Sequence, residues 1–308
     1  MASILTNGSA MTALQNLTAT IRKLDETQTR ISTGLRVGKA EDNAAYWSIA
    51  TTMRSDNGAL STVKDALGLG SATIDVAYTG VNSAIDAVKD IKNKLVAARQ
   101  PGVDRAKIQS EITELQRQLT SIGSTSVFSG ENWISVDSSS PDYTATKTIV
   151  ASFSRATSGI AIGTISIDVA NIKLYDAADQ SGILDSTDTT ANGGVTFSVA
   201  NLDISTLSNS DTDVEDLEQM IAWVDSAITK MTSSAANLGA VKQRVNLQKD
   251  FVGSLMDAIT RGVGALVDAD MNEESTKLQA LQVQQQLGVQ SLSIANQNSQ
   301  NILSLFKG

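Results

Sequence analysis

A chain of 308 residues with 41% apolar side chains can bury a real core, yet 4% aromatics, two prolines and much Ala, Leu, Ser, Thr and Gln suit long helices with slim seams better than a broad globular interior. A net charge of −9 and a pI near 4.6 argue against nucleic acid as a partner, because phosphates need basic patches to release their counterions. Histidine and cysteine are both absent, which removes Ser-His-Asp and Cys-His nucleophiles, disulfides and nearly all zinc and haem sites, so no cofactor is expected.

The first segment, Met1 to Ile21, carries no charged side chain. It has neither the basic stretch nor the apolar block of a conventional secretory signal peptide, and none is expected. Apolar residues at helical steps, Leu14, Leu17, Ile21, Leu24, Ile31 and Leu35, predict an amphipathic helix, with a bend after it at Gly34 and Gly38. Steps of three and four then run from Tyr46, Ile49 and Met53 through Leu60, Val63, Leu67, Gly70, Ile74, Ala77, Val81, Ala84, Val88, Ile91 and Leu95 to Ala98, a sustained coiled-coil seam. As a helix, Leu60 to Ala98 spans roughly 58 Å. Gly68-Leu69-Gly70 lies inside this run with no strand before it, which reads as helix packing rather than a phosphate loop. Gln100-Pro101-Gly102 stops the helix, Asp104 is placed to cap the next, and Ile108, Ile112, Leu115, Leu119 and Ile122 complete an antiparallel hairpin.

From Ser124 to Ser210 the period changes to two, at Ile165, Ile167, Val169 and at Val195, Phe197, Val199, between Gly and Asx clusters. Short strands and hairpins are predicted, and VANI at Val169 to Ile172 and VANL at Val199 to Leu202 hint at two related ones. The third helical run, Leu217, Met220, Val224, Ala227, Met231, Leu238, Val241, Val245, Val252, Leu255, Ile259 and Leu266, is the partner expected for the first two. Gly262 and Gly264 predict a second bend. LVDADMNEES lacks the spacing of a calcium loop and reads as charge at a helix N-terminus.

From Leu278 to Phe306 charge is absent again. This stretch is about half Gln, Asn and Ser, too polar to span a membrane, and no membrane insertion is expected. Leu281, Leu292, Ala295, Ile302 and Phe306 form one stripe beside a second of Leu287 and Ile294, a regularity that favours helix over solvated tail. A symmetric polymer explains uncharged ends, since a buried ion near the assembly axis would recur on every subunit, each copy costing on the order of several kcal/mol. The predicted fold is mainly α: a folded-back antiparallel coiled-coil or helical-bundle rod with paired terminal helices and a small β-rich central insertion. Residues 1–40 and 267–308 are expected to form the terminal pair, 41–130 and 211–266 the rod, and 131–210 the β-rich segment.

DETQTRISTGLRVGKAEDNAAYWSIATTM, from Asp25 to Met53, resembles the N-terminal signature of bacterial flagellins, and LVDADMNEESTKLQALQVQQQLGVQSLSIANQNSQNILSLFKG, from Leu266 to Gly308, their C-terminal signature. ILTNGSAMTALQNL resembles their opening, and AAYWSIATTMRSDN and FSGENW resemble flagellins of rhizobia and their relatives. The resemblance implies a structural subunit, not an enzyme, that polymerises into the helical flagellar filament with itself or other flagellins. It implies passage of the unfolded chain through the flagellar type III export channel, and dealings with an export chaperone, the filament cap and hook-associated proteins. The terminal helices would lie innermost, making Leu14, Leu17, Ile21, Leu24, Ile31, Leu281, Leu287, Leu292, Ile294, Ile302 and Phe306 the assembly interface. A hook-filament junction protein shares the terminal architecture and is the alternative. Gly38, Glu41, Asn43 and Ala265 depart from the common pattern. Glu41 and Asn43, with Asn93 and Ser121 where recognised members have Arg and Glu, imply poor contact with the animal and plant receptors that sense many flagellins.

Overall fold

The structure, a computed structural model, describes residues 7–156 and 159–307, the side chains of 298–307 excepted. Along the chain run α1 (Gly8–Thr33), α2 (Ala44–Ala98), α3 (Arg105–Thr125), β1 (Val127–Phe128), β2 (Glu131–Asn132), β3 (Ser135–Val136), β4 (Thr146–Ala156), β5 (Gly159–Asp168), β6 (Tyr175–Asp176), β7 (Asp188–Thr189), β8 (Thr196–Phe197), α4 (Asp211–Val267) and α5 (Met271–Lys307). The fold is mainly α, with a small β-rich centre. Two compact units emerge: one takes the chain up to Gly58 and from Met256 onward, the other Ala59–Leu255, and α2 and α4 supply residues to both.

In the Ala59–Leu255 unit, α2 and α4 run antiparallel. Ser71 with Asn246, Asp75 with Lys242 and Lys92 with Asp225 mark one register, each step along α2 matched by an equal step back along α4. Leu67, Ile74, Val81, Val88, Ile91 and Leu95 bury completely against Leu217, Met220, Val224, Met231 and Val245, as the seam requires. After Ala98 the chain turns through Gly102, whose φ of 87° suits glycine, and the Asp104 side chain accepts the Lys107 N–H to cap α3. Gly70 is buried beneath Ile149, whereas Gly68 has open space where a Cβ would stand, so only one glycine of the pair is a packing glycine.

The β-rich segment packs onto these helices. β1 and β2 close through Ser129 (φ 52°) and Gly130 (φ 85°), the two positive-φ residues that a tight hairpin needs. β4 and β5 form the long hairpin, with Ile165, Ile167 and Val169 buried in alternation as their spacing predicts, and with a register shift between Val150 and Ser152. VANI and VANL both form turns that bury their first and last residues, one after β5 and one after β8. Gln116 Nε2 donates to the Val199 and Leu202 carbonyls, and Ser234 Oγ to that of Asn171, tying each turn to a helix.

In the other unit, Val37, Ala50, Val263 and Val267 form a small core, flanked by Leu35, Met53, Ile259 and Leu266. The register set by Asn57 and Thr260 places Ala50 opposite Val267, the last residue of α4. Tyr46 and Ile49, expected in the seam, therefore lie past the end of α4 and are exposed. The second bend also differs from expectation. Gly262 and Gly264 sit inside α4, and the break comes at residues 268–270, where Asp268 bridges Leu35 and Asp270 Oδ1 accepts the Asn272 and Glu273 N–H groups to cap α5. Glu273 and Glu274 stand in the first turn of α5, where the helix dipole favours acid.

Candidate functional site

The terminal helices α1 and α5 pack antiparallel. Asn7 accepts the Ala10 N–H to start α1 and donates from Nδ2 to the Ala295 carbonyl at 3.0 Å. Further along, Leu17 lies 3.1 Å from where a Cβ on Gly288 would stand, so that glycine lets the helices come close. Near the far end, Arg30 donates to Glu274 Oε1 at 3.1 Å. Gly34, at φ 71°, ends α1 with its N–H on the Arg30 carbonyl. The chain then crosses to α4, Arg36 and Val37 donating to the Val267 carbonyl.

The interface residues expected from sequence divide into two faces. Leu24 and Leu281 are buried between the helices, and Leu17, Ile31 and Leu292 are half-buried beside them. Leu14, Ile21, Leu287 and Ile294 point away, with Leu14 53%, Leu287 59% and Ile294 62% exposed. Ile302 and Phe306 lie outside the residues whose side chains are described. At about 100° per residue, Val283, Leu287 and Ile294 share one stripe of α5, nearly opposite the Leu281, Gly288 and Leu292 face. Leu14 and Ile21 share a flank of α1, with Met11 further round. Met11 and Val283 belong to this exposed apolar surface and were missed from sequence, although their uncharged neighbours were a signal; Val289 is also exposed, but on the other flank of α5.

One charged pair is also missing from the sequence reading. The Glu274 side chain is 7% exposed and the Arg30 side chain 23%, so this ion pair is largely withdrawn from water; Arg30 also holds Glu26 at 2.5 Å, one turn back. Its signal was positional: Glu274 falls seven residues before Leu281, on the inward stripe.

The four residues expected to weaken receptor contact lie apart. Glu41 is exposed and pairs with Lys39, and Asn43 Oδ1 accepts the Tyr46 N–H at the start of α2, a capping role. Asn93 and Ser121, in the other unit, are both exposed. Among the described residues no group of three His, Cys, Asp or Glu could hold a metal ion, and no helix is long and apolar enough to cross a membrane.

Comparison with known proteins identifies the family. Residues 4–138 match the bacterial flagellin N-terminal helical region, and residues 221–306 the bacterial flagellin C-terminal helical region. The chain is 50% identical to flagellin C and 43% identical to flagellin A of Rhizobium meliloti, and 44% identical to a flagellin of Brucella melitensis, all of both chains being covered in each case. The flagellin A alignment needs 397 positions for the 308 residues here, so that relative carries many residues with no counterpart in this chain. These matches favour a filament subunit over the hook-filament junction alternative. The chain belongs to the bacterial flagellins, the structural, non-enzymatic subunits of the extracellular flagellar filament.

Proposed function

We propose that the outward apolar stripes of α1 and α5 are the surface on which copies of this chain meet in the filament, with the α1–α5 pair as its inner layer. In this reading Leu17, Leu24, Ile31, Leu281 and Leu292 hold the two helices together, while Leu14, Ile21, Leu287 and Ile294 face other copies. Residues 41–130 and 211–266 supply the surrounding rod, and 131–210 faces solvent. One observation carries the reading: large apolar side chains stand uncovered on a helical surface that has no charge from Leu278 to Phe306. An exposed helix face in water ordinarily carries charge. Uncharged amides beside exposed leucines suit a face that is wet in the free subunit and dry in the polymer.

The chain would leave the cell unfolded through the flagellar export apparatus, escorted by an export chaperone, and be placed beneath a cap beyond the hook-associated proteins. Freedom from cysteine suits such transit, since no disulfide can form or scramble on the way.

Filament yield from purified Ile294→Glu tests the reading against Asp188→Lys, an exposed change in β7. The first should lose filaments with subunit helicity unchanged, and the second should assemble normally. Equal yields from both would refute it.

A further inference from the structure

We infer that the Arg30–Glu274 ion pair sets the register in which α1 and α5 pair, so that Arg30 and Glu274 are positioning residues for assembly. The assembly half of this inference rests on the function proposed above; the register half does not.

The seam itself is ambiguous. Three contacts fix one antiparallel register: Asn7 with Ala295, Leu17 with Gly288, and Arg30 with Glu274. Continued in steps of seven from Leu17 and Gly288, it sets Leu24 opposite Leu281 and Ile31 opposite Glu274, and Leu24 and Leu281 are both buried. A seven-residue slip in one direction would place Leu17 opposite Ala295, Leu24 opposite Gly288 and Ile31 opposite Leu281. Apolar still meets apolar throughout, so packing alone discriminates weakly between the two arrangements. The uncharged Gln, Asn and Ser residues around the seam add no electrostatic preference.

The ion pair removes the ambiguity. In the slipped register Glu274 passes beyond Thr33, the end of α1, and Arg30 is left beside Leu281 and Gln282. The opposite seven-residue slip presses Glu274 against Leu24. Slips of about one turn are also opposed, because one brings Arg30 toward Lys277 and the other brings Glu274 toward Glu26, like charges in each case. Either slip costs both charges their partner across the seam, leaving Arg30 only Glu26 and Glu274 only Lys277, 3.9 Å away, on their own helices; the pair itself adds little net stability, and selecting one register is the best-attested use of such a group. The outward stripes inherit that choice. Only one register aligns Leu14 and Ile21 of α1 with Leu287 and Ile294 of α5 in the way each copy must repeat.

The absence of cysteine permits a direct test. A Cβ on Gly288 would stand 3.7 Å from the Leu17 Cβ, inside the roughly 3.5–4.5 Å range of disulfides. The full-length chain with Leu17→Cys and Gly288→Cys reports the native register by an intramolecular crosslink, and Leu24→Cys with Gly288→Cys reports the slipped one. Both are oxidised in free subunits and in filaments, and resolved by non-reducing gels and peptide mapping. The native background should crosslink the first pair and leave the second at background. Adding Arg30→Met with Glu274→Leu should raise the second crosslink at least tenfold and lower filament yield. The exchange Arg30→Glu with Glu274→Arg, made together with Glu26→Gln and Lys277→Gln so that neither swapped charge meets a like one on its own helix, should restore the first pattern. No Leu17–Gly288 crosslink in the native background, an unchanged pattern in the apolar double variant, or failure of the charge exchange would each overturn the inference. A shifted crosslink beside normal filaments would uphold the register and refute instead the assembly role of this face.

Discussion

Ile149 of β4 lies directly over Gly70 of α2: a Cβ built on that glycine would stand 2.5 Å from Ile149 Cδ1 and 2.8 Å from its Cγ2. The contact seats the β4–β5 hairpin on the helix. Gly70→Ala should destabilise the subunit by ~1–3 kcal/mol through overpacking, partly offset by a gain of about 1 kcal/mol in helix propensity. Gly68→Ala meets nothing within 4 Å and should stabilise by about that gain. Thermal unfolding of the two variants, two residues apart on one helix, should therefore move in opposite directions.

Two aspartates, Asp176 buried and Asp185 half-buried, make stability depend on pH with opposite signs. Burial opposes ionisation of Asp176, but the Lys173 ammonium and the Ser138 and Ala178 N–H groups hold its carboxyl below the usual range. Its contribution is present above the unfolded-state pKa and is lost as pH falls through the folded value. Burial pushes Asp185 the other way, and one of its oxygens finds no hydrogen-bond partner among the described residues. The native state then holds the proton longer, so stability falls as pH rises from the unfolded value through the raised one. Asp185→Asn, whose amide can replace the unpartnered oxygen, should stabilise the subunit at pH 7. Asp176→Asn should destabilise it there and flatten the acid limb of a denaturant midpoint plotted against pH.

The terminal helices should gain order on assembly. Within one chain α1 buries only Leu24 and Thr27, so the α1–α5 pair forms in the free subunit but frays there. Circular dichroism should show helix content rising as subunits polymerise. Deleting 278–308 should leave a soluble helical subunit that does not polymerise; filaments from that truncation would contradict the assignment of the terminal pair.

Receptor recognition offers an independent check on the family comparison. Asn93 and Ser121 are exposed, and if, as the resemblance implies, recognised flagellins present Arg and Glu there, each lost charge-assisted bond would remove ~1.5–3 kcal/mol. Reporter cells carrying the toll-like receptor should respond at least tenfold more weakly to this subunit than to a recognised flagellin, with partial recovery on Asn93→Arg. Equal potency would mean that these positions are only surface drift.

The long helices were legible because their seams obey a simple period: Leu67, Ile74, Val81, Val88 and Leu95, spaced by seven, are all fully buried. Where a seam runs past its partner the period misleads, as at Tyr46 and Ile49, since sequence spacing does not record where α4 ends. Gly262 and Gly264 misled for a related reason, a helix tolerating glycine while Asp270 supplies the actual cap. The parallel pairing of Ser135 with Tyr175 rests on two residues in each strand, too short for any pattern to announce. At the terminal helices both apolar stripes were visible. Which one faced inward depended on Gly288 admitting Leu17 and on the Arg30–Glu274 pair, relationships between distant parts of the chain that no single stretch contains.

A helical reconstruction of the filament at side-chain resolution tests most directly whether the outward stripes are the assembly surface. The account predicts Leu14, Ile21, Leu287 and Ile294 buried against neighbouring copies, with no charged side chain between them. Finding those four residues facing solvent or an open channel, with subunits joined elsewhere, would contradict it.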